Sequence, residues 1–326
     1  MDSPLLAIEK LSVQFHTEKG VVRALDGVDL TIGKGEIFAL LGESGSGKSV
    51  TSLSVMRLIP SQLGKVAAGR ILFKGQNLLD LSMREMADLR GSAISMIFQE
   101  PISSLNPVLR VGSQVAEVIR RHKGASKAEA KAAAISLLGE VGIADPARRY
   151  DSYPHELSGG MCQRVMIAMA ISCDPELLIA DEPTTALDAT IQKQIMDLIN
   201  DLRARRNTAV LLVTHDLGVV AQHADRAAVM YAGKIVEEAP VDVLFSSPAH
   251  PYSRGLLDAM PDPEDDQAGF TAIPGNVPDL LRLPQGCAFS PRCAHASDVC
   301  HRQAPERSRR SDTHLVRCWN PLEPTR

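Results

Sequence analysis

A chain of 326 residues, 44% of them hydrophobic, is long enough to bury one large core or two smaller ones. Its formal net charge of −4 disfavours nucleic acid as a partner on bulk electrostatics. No apolar run approaches the roughly 20 residues that span a bilayer, and Met1-Asp2-Ser3-Pro4 lacks a basic start followed by an apolar stretch, so neither a membrane span nor a secretion signal is expected.

Residues 5–37 read as strand-rich. Leu6–Glu9, Leu11–Phe15 and Leu25–Ile32 are the runs, and Gly20 and Gly33-Lys34-Gly35 supply turns. The apolar run from Glu36 to Leu41 then suits a buried strand. It leads into Gly42-Glu43-Ser44-Gly45-Ser46-Gly47-Lys48-Ser49, which matches G-x-x-x-x-G-K-[ST] at every fixed position. Successive backbone N–H groups in such a turn form a concave nest for phosphate oxygens. Lys48 is placed to reach the outer phosphates and the Ser49 hydroxyl to help hold Mg²⁺. Val50, Leu53, Met56 and Leu58 continue as a helix with one apolar face, whose N-terminus adds its own attraction for anions.

Further strands are expected at Arg70–Gly75 and Ile94–Phe98, the second ending at Gln99. From about 104 to 157 the pattern turns helical. Val111, Val115, Val118 and Ile119 recur at helical spacing, and Ser126 with Glu129 forms a capping box ahead of an alanine-rich helix through Leu138. Apolar runs at 177–180 and 209–213 alternate with helices over 159–173 and 189–206, the signature of a parallel sheet. A strand pair follows over 227–237, turning at Ala232-Gly233-Lys234. Residues 261–285, rich in Pro, Asp and Gly, read as a linker.

Four of the six cysteines (Cys287, Cys293, Cys300, Cys318) fall in the last 40 residues. In a reducing cytosol such clustering points to metal or cluster ligands rather than disulfides. The spacing Cys-x5-Cys-x6-Cys-x17-Cys lacks the tight C-x2–4-C pairs of structural zinc sites. It fits four thiolates on a 4Fe–4S cluster better, with zinc (His295, His301 or His314 assisting) and unliganded cysteines as the alternatives.

Several further pieces follow the phosphate loop in order. They are Gln99, Leu157-Ser158-Gly159-Gly160 with Gln163-Arg164, Leu177–Ala180 leading to Asp181-Glu182-Pro183, Ala186-Leu187-Asp188, and Thr214-His215-Asp216. Together they resemble an ATP-binding cassette (ABC) ATPase. The resemblance implies an α/β P-loop NTPase fold with a RecA-like parallel-sheet core, an N-terminal antiparallel β subdomain and a helical subdomain, here followed by a cysteine-rich C-terminal extension. The expected division is residues 1–103 for the β subdomain and start of the core, 104–174 for the helical subdomain, 175–260 for the rest of the core, and 261–326 for linker and tail.

Chemistry and resemblance together assign roles. Asp181, at the end of an apolar strand, can hold Mg²⁺ with Ser49 and Gln99, and Glu182 beside it is the natural general base for the attacking water. A surface salt bridge is the plainer reading of Glu182. The resemblance implies that His215 contacts the γ-phosphate, that Gln99 senses metal and water, and that Phe15 stacks on adenine, where a core phenylalanine is the rival. It also implies that Ser158, Gly159, Gly160 and Asp188 serve the ATP of an opposing subunit, so that two cassettes sandwich two ATPs. Cys162 and Cys173 carry no inference.

Ser247-Pro248-Ala249-His250-Pro251-Tyr252-Ser253, Ile97–Pro101 with Ser104–Pro107, and Gly286–Cys293 resemble segments of oligopeptide and dipeptide importer ATPases, most closely the D-type subunits of dipeptide permeases. That resemblance also points to the 4Fe–4S cluster. It implies a peripheral subunit on the cytoplasmic face of the inner membrane, a homologous F-type ATPase as partner, two transmembrane permeases docking near Gln99 and the helical segment, and an external peptide-binding protein. A soluble ABC ATPase acting on ribosomes or DNA is the alternative. The long coiled coils of repair types and the second cassette of ribosomal types are absent from this sequence.

Overall fold

The structure is a computed structural model that describes residues 3–184, 189–260 and 272–323. In chain order the elements begin with β1 (Leu6–Thr17), β2 (Gly20–Ile32), β3 (Ile37–Leu41), α1 (Lys48–Val55), β4 (Gly64–Phe73), β5 (Gln76–Asn77), α2 (Met83–Leu89) and β6 (Ile94–Ile97). Then come α3 (Pro101–Ser104), α4 (Val111–Lys123), α5 (Lys127–Glu140), α6 (Pro146–Arg149), α7 (Gly159–Ile171), β7 (Leu177–Asp181), α8 (Ala189–Arg206) and β8 (Ala209–Val213). The chain finishes with α9 (Leu217–His223), β9 (Arg226–Tyr231), β10 (Lys234–Pro240), α10 (Val241–Ser246), α11 (Pro251–Asp258), α12 (Asp298–Arg302), β11 (Ser308–Ser311) and β12 (His314–Val316). Among the described residues no helix is long and apolar enough to cross a membrane.

The contacts divide the chain into two compact units, one of residues 1–5, 32–36 and 78–213, the other of residues 6–31, 37–77 and 214–326. In the first, β6, β7 and β8 run parallel, and every residue of all three is buried. Strands covered on both faces need apolar side chains at every position rather than at alternate ones. Helices α4, α5 and α7 pack together. Helix α5 starts where expected: Ser126 Oγ accepts from Glu129 N–H at 3.3 Å and the Glu129 carboxylate accepts from Ser126 N–H at 2.8 Å.

In the second unit, β2–β1–β4–β5 form one sheet, in which β1/β4 and β4/β5 are antiparallel. The two short runs expected at 6–9 and 11–15 are a single strand. Lys10, at φ 48°, makes the break in the apolar pattern, and the register with β4 shifts between Glu9 and Ser12. The other sheet of this unit carries β3 parallel to β9, then β10, β12 and β11 antiparallel.

Strands β11 and β12 belong to the cysteine tail. Val316 and Phe289 are buried there, and Phe289 joins the cluster around Tyr231, Tyr252, Leu41 and Val229. Strand β10 also buries two carboxylates. Glu237 accepts hydrogen bonds from Ala249 N–H at 2.6 Å and His250 N–H at 2.8 Å and pairs with His314 Nε2 of β12 at 2.8 Å. Glu238 is paired with Arg226 and Arg307. Buried charges persist only when partnered in this way.

Candidate nucleotide site and cysteine cavity

The phosphate loop joins β3 to α1, and its glycines are required at two positions. A Cβ on Gly42 (φ 149°) would lie 2.3 Å from the carbonyl oxygen of Met230, and one on Gly47 (φ 113°) would lie 2.9 Å from that of Ala24. Ser44, Gly45 and Ser49 are exposed, and Val50 is half-buried. Ser46 and Lys48 are buried, and Lys48 Nζ donates to the carbonyls of Gly42 at 2.8 Å and Glu43 at 3.1 Å. The lysine thus lies along the loop whose N–H groups form the anion nest.

Glu43 is anchored outside the loop. Its N–H donates to Tyr252 Oη at 2.9 Å, and its carboxylate takes both ends of the Arg292 guanidinium, at 2.7 and 3.1 Å. Phe15 is half-buried and sits opposite Gly64 of β4, where a Cβ would come within 2.7 Å of its ring. The ring therefore lies over a strand position stripped of side chain and is not fully buried. In the same unit, Thr214 Oγ1 accepts from Asp216 N–H, and Asp216 in turn caps α9 by accepting from Val219 N–H. These two short bonds hold the turn that presents the exposed His215.

In the other unit, β7 ends at the buried Asp181. Glu182 follows at φ 48°, a conformation L-residues rarely adopt, with its N–H on Val213 O at 2.8 Å. Its carboxylate accepts a 2.7 Å hydrogen bond from Gln99 Nε2. Ser158 caps α7, its Oγ accepting from Met161 N–H at 3.4 Å, and Ser158 and Gly159 are exposed. The first N–H groups of the helix, Met161 N–H excepted, and the positive end of its dipole meet there. Gln163 Nε2 on the same helix donates to Pro183 O at 2.6 Å, so the helix and the carboxylate turn are tied together. Asp188 and residues 261–271 of the expected linker lie outside the described residues.

Cys287, Cys293, Cys300 and Cys318 line one small cavity together with His250, Phe289 and Asn320. Burial pushes the Cys287 and Cys293 thiols up and the Cys318 thiol up to about 12. Among the described residues, no group of three or more His, Cys, Asp or Glu side chains could hold a metal ion. A tetrahedral zinc site needs its sulfurs about 2.3 Å from one point, whereas a cluster spreads its thiolates around a larger body.

His250 tests the fit of such a body. It is buried, which lowers its pKa to about 4 and keeps it neutral. Its Nδ1 accepts from Tyr252 N–H at 3.0 Å, so the proton sits on Nε2, which has no hydrogen-bond partner among the described residues. Asn320 Nδ2 donates to Cys300 Sγ at 3.6 Å. An orphaned buried donor and an amide donor beside four sulfurs suit an anionic sulfur-rich occupant.

Sequence reading missed Tyr252, Phe289, Arg292 and Gln163 as supports of these sites. One signal was available for Arg292: a carboxylate in an anion-binding loop asks for a cation, and this arginine precedes a cysteine already singled out.

The model of the ABC transporter family matches residues 25–185, and that of the oligopeptide/dipeptide transporter C-terminal region matches residues 236–300. A probable peptide ABC transporter ATP-binding protein, y4tR of Sinorhizobium fredii, is 51% identical, with 98% of this chain and 96% of that protein covered. The dipeptide transport ATP-binding protein DppD of Bacillus subtilis is also 51% identical, over 97% of this chain and 94% of its own length. The chain belongs to the oligopeptide/dipeptide ABC transporter family of ATP-binding proteins.

Among solved structures, the post-hydrolysis dimer of the ATP-binding cassette MJ0796 bound to ADP and Pi matches with a TM-score of 0.66 and 28% identity, covering 72% of this chain and 98% of that one. In this ABC family member the phosphate loop, Gln99, Ser158–Gly160 and Asp181-Glu182 all fall inside the cassette match, and Cys287, Cys293 and Cys300 inside the C-terminal one.

Proposed function

We propose that this ABC ATPase is the motor subunit of a peptide importer, hydrolysing MgATP on the cytoplasmic side of the membrane and driving uptake through separate permeases. The observation that carries the reading is Glu182, held by Gln99 directly after the buried Asp181, in a chain 51% identical to a dipeptide transport ATP-binding protein. Lys48 and the N–H groups of Gly42–Ser49 bind the phosphates, with Val50 in the first turn of the helix behind them. Phe15 carries the adenine ring. Ser49, Gln99 and Asp181 hold Mg²⁺, which neutralises charge on the outer phosphates. Glu182 takes the proton of the attacking water, and His215 positions the γ-phosphate.

Ser158, Gly159, Gly160 and Asp188 act on the ATP of a second, homologous cassette, so the working form is a dimer and, by the D-type resemblance, a heterodimer. Residues 104–174 form the helical subdomain that meets the permeases, and an external binding protein delivers the peptide. Cys287, Cys293, Cys300 and Cys318 hold a 4Fe–4S cluster in the C-terminal extension, which staples the tail. The test is reconstitution in vesicles with the permeases and partner ATPase. Peptide-loaded binding protein is expected to stimulate ATP hydrolysis and peptide accumulation, and both should disappear with Glu182→Gln. Hydrolysis coupled to no peptide would overturn the importer reading.

A further inference from the structure

We propose that Arg292 is a positioning residue for the phosphate loop, through which the cysteine-bearing tail sets how tightly this chain holds ATP. The proposal rests on the ATPase reading above and adds a control point to it. Glu43 stands second in a loop built for anions. Its carboxylate, uncompensated, would oppose the charge of the phosphates there. Arg292 neutralises it through a bidentate contact and fixes its direction, the geometry in which arginine is strongest.

The guanidinium is itself immobilised by β9, the linker and the tail. Nε donates to Pro274 O at 2.9 Å, Nη1 reaches Tyr231 Oη and Nη2 reaches Ile273 O, both at 3.4 Å. The rings of Tyr231 and Phe289 lie 5.8 and 5.9 Å from its centre, and its side chain is only 4% exposed. Tyr252, packed 4.6 Å from Tyr231, takes the Glu43 N–H. Glu43 is thus pinned at both its amide and its carboxylate by groups outside the loop. Lys48 rests on the carbonyls of Gly42 and Glu43, so a shift of Glu43 displaces the lysine's own support.

The turn that carries Arg292 is short and closed. Ser290 N–H donates to Cys287 O at 3.0 Å, Arg292 N–H to Phe289 O at 2.9 Å, and Cys293 N–H to Ser290 O at 3.4 Å. Arg292 therefore stands on a turn bounded by two of the four cavity cysteines, and whatever holds those cysteines holds the arginine.

The experiment uses the full chain and MgATP. Binding, steady-state hydrolysis and thermal midpoint are measured for wild type, Arg292→Met, Arg292→Lys, Lys48→Ala and the double variant Glu43→Gln/Arg292→Met. Losing a charged hydrogen-bonded partner should weaken ATP binding by about tenfold or more. KM should rise with kcat at saturation retained. Arg292→Lys should recover part of the affinity, and the double variant most of it, because no unpaired carboxylate then remains. A tail that merely unfolds would lower the thermal midpoint without rescue by Glu43→Gln. Wild-type affinity in Arg292→Met, or an absence of rescue, overturns the proposal alone. A wild type that binds no MgATP, or a Lys48→Ala variant that binds like wild type, overturns the ATPase reading beneath it.

Discussion

Gln99 Nε2 and Glu182 Oε2 are joined by a 2.7 Å hydrogen bond that spans 83 residues of sequence. One partner ends the β6 segment and the other the β7 segment, and β6 and β7 are neighbouring parallel strands. Glu182→Gln should leave ATP binding intact and cut hydrolysis by about 10²–10⁴-fold, the usual worth of a general base. Gln99→Ala should cost less, because it removes an orienting group and leaves the base. Turnover assays under saturating MgATP read both effects, and wild-type turnover in Glu182→Gln would sink the assignment.

The phosphate loop distinguishes its glycines. Gly47→Ala combines a positive φ with a 2.9 Å approach to backbone, so ATP binding should be lost. At Gly45 (φ 77°) nothing lies within 4 Å of an added Cβ. There the cost is conformational, about 1–2 kcal/mol. MgATP titrations should show Gly45→Ala retaining binding that Gly47→Ala lacks, and equal losses would contradict the geometry.

Acid should weaken the second unit through Glu237. Burial alone pushes this carboxyl up, but His314 and the N–H groups of Ala249 and His250 outweigh it, and it ends below its ordinary value. A depressed folded-state pKa gives stability that is present above the ordinary carboxyl value and lost as pH falls through the folded one. Denaturant midpoints of wild type should therefore drop in acid below that ordinary value. Glu237→Gln should start lower at neutral pH and lose less on acidification. Parallel curves for the two proteins would remove Glu237 as the cause.

Protein purified without oxygen should be brown and hold about four irons per chain with matching sulfide. Cys318→Ala should lose them. On the proposed cluster, His250→Leu should move the potential more negative, because an N–H donor lining the cavity favours the more reduced, more negative form. Colourless anaerobic protein lacking iron and sulfide would dispose of the cluster.

Much of the cassette was legible because its signals are local. The phosphate loop is a contiguous octet, and Ser126 with Glu129 announces α5 within a single turn. The same S-x-x-E spacing at Ser82 and Glu85 caps α2, which went unread because only seven residues follow before the helix ends. The break at Lys10 divided one strand into two, since a bulge interrupts the alternation on which strand reading depends. Strands β11 and β12 were invisible for another reason. Ser308–Ser311 is polar, and β12 is fixed by pairing with β10, some 80 residues earlier, which no local pattern encodes. The grip of Arg292 on Glu43, 249 residues apart, is of the same long-range kind.

Glu237 and Glu238 give the last twenty residues a weight that their position hides. His314 and Arg307 answer two buried carboxylates of β10 from beyond residue 306. A nonsense codon or a protease cut just ahead of Arg307 would therefore do more than shed a loose end. It would strand one negative charge without its imidazole and leave the other with Arg226 alone, in the interior of the sheet that carries the phosphate loop. Such a shortened polypeptide should be insoluble or quickly degraded, so that late truncations of the gene are as damaging as early ones.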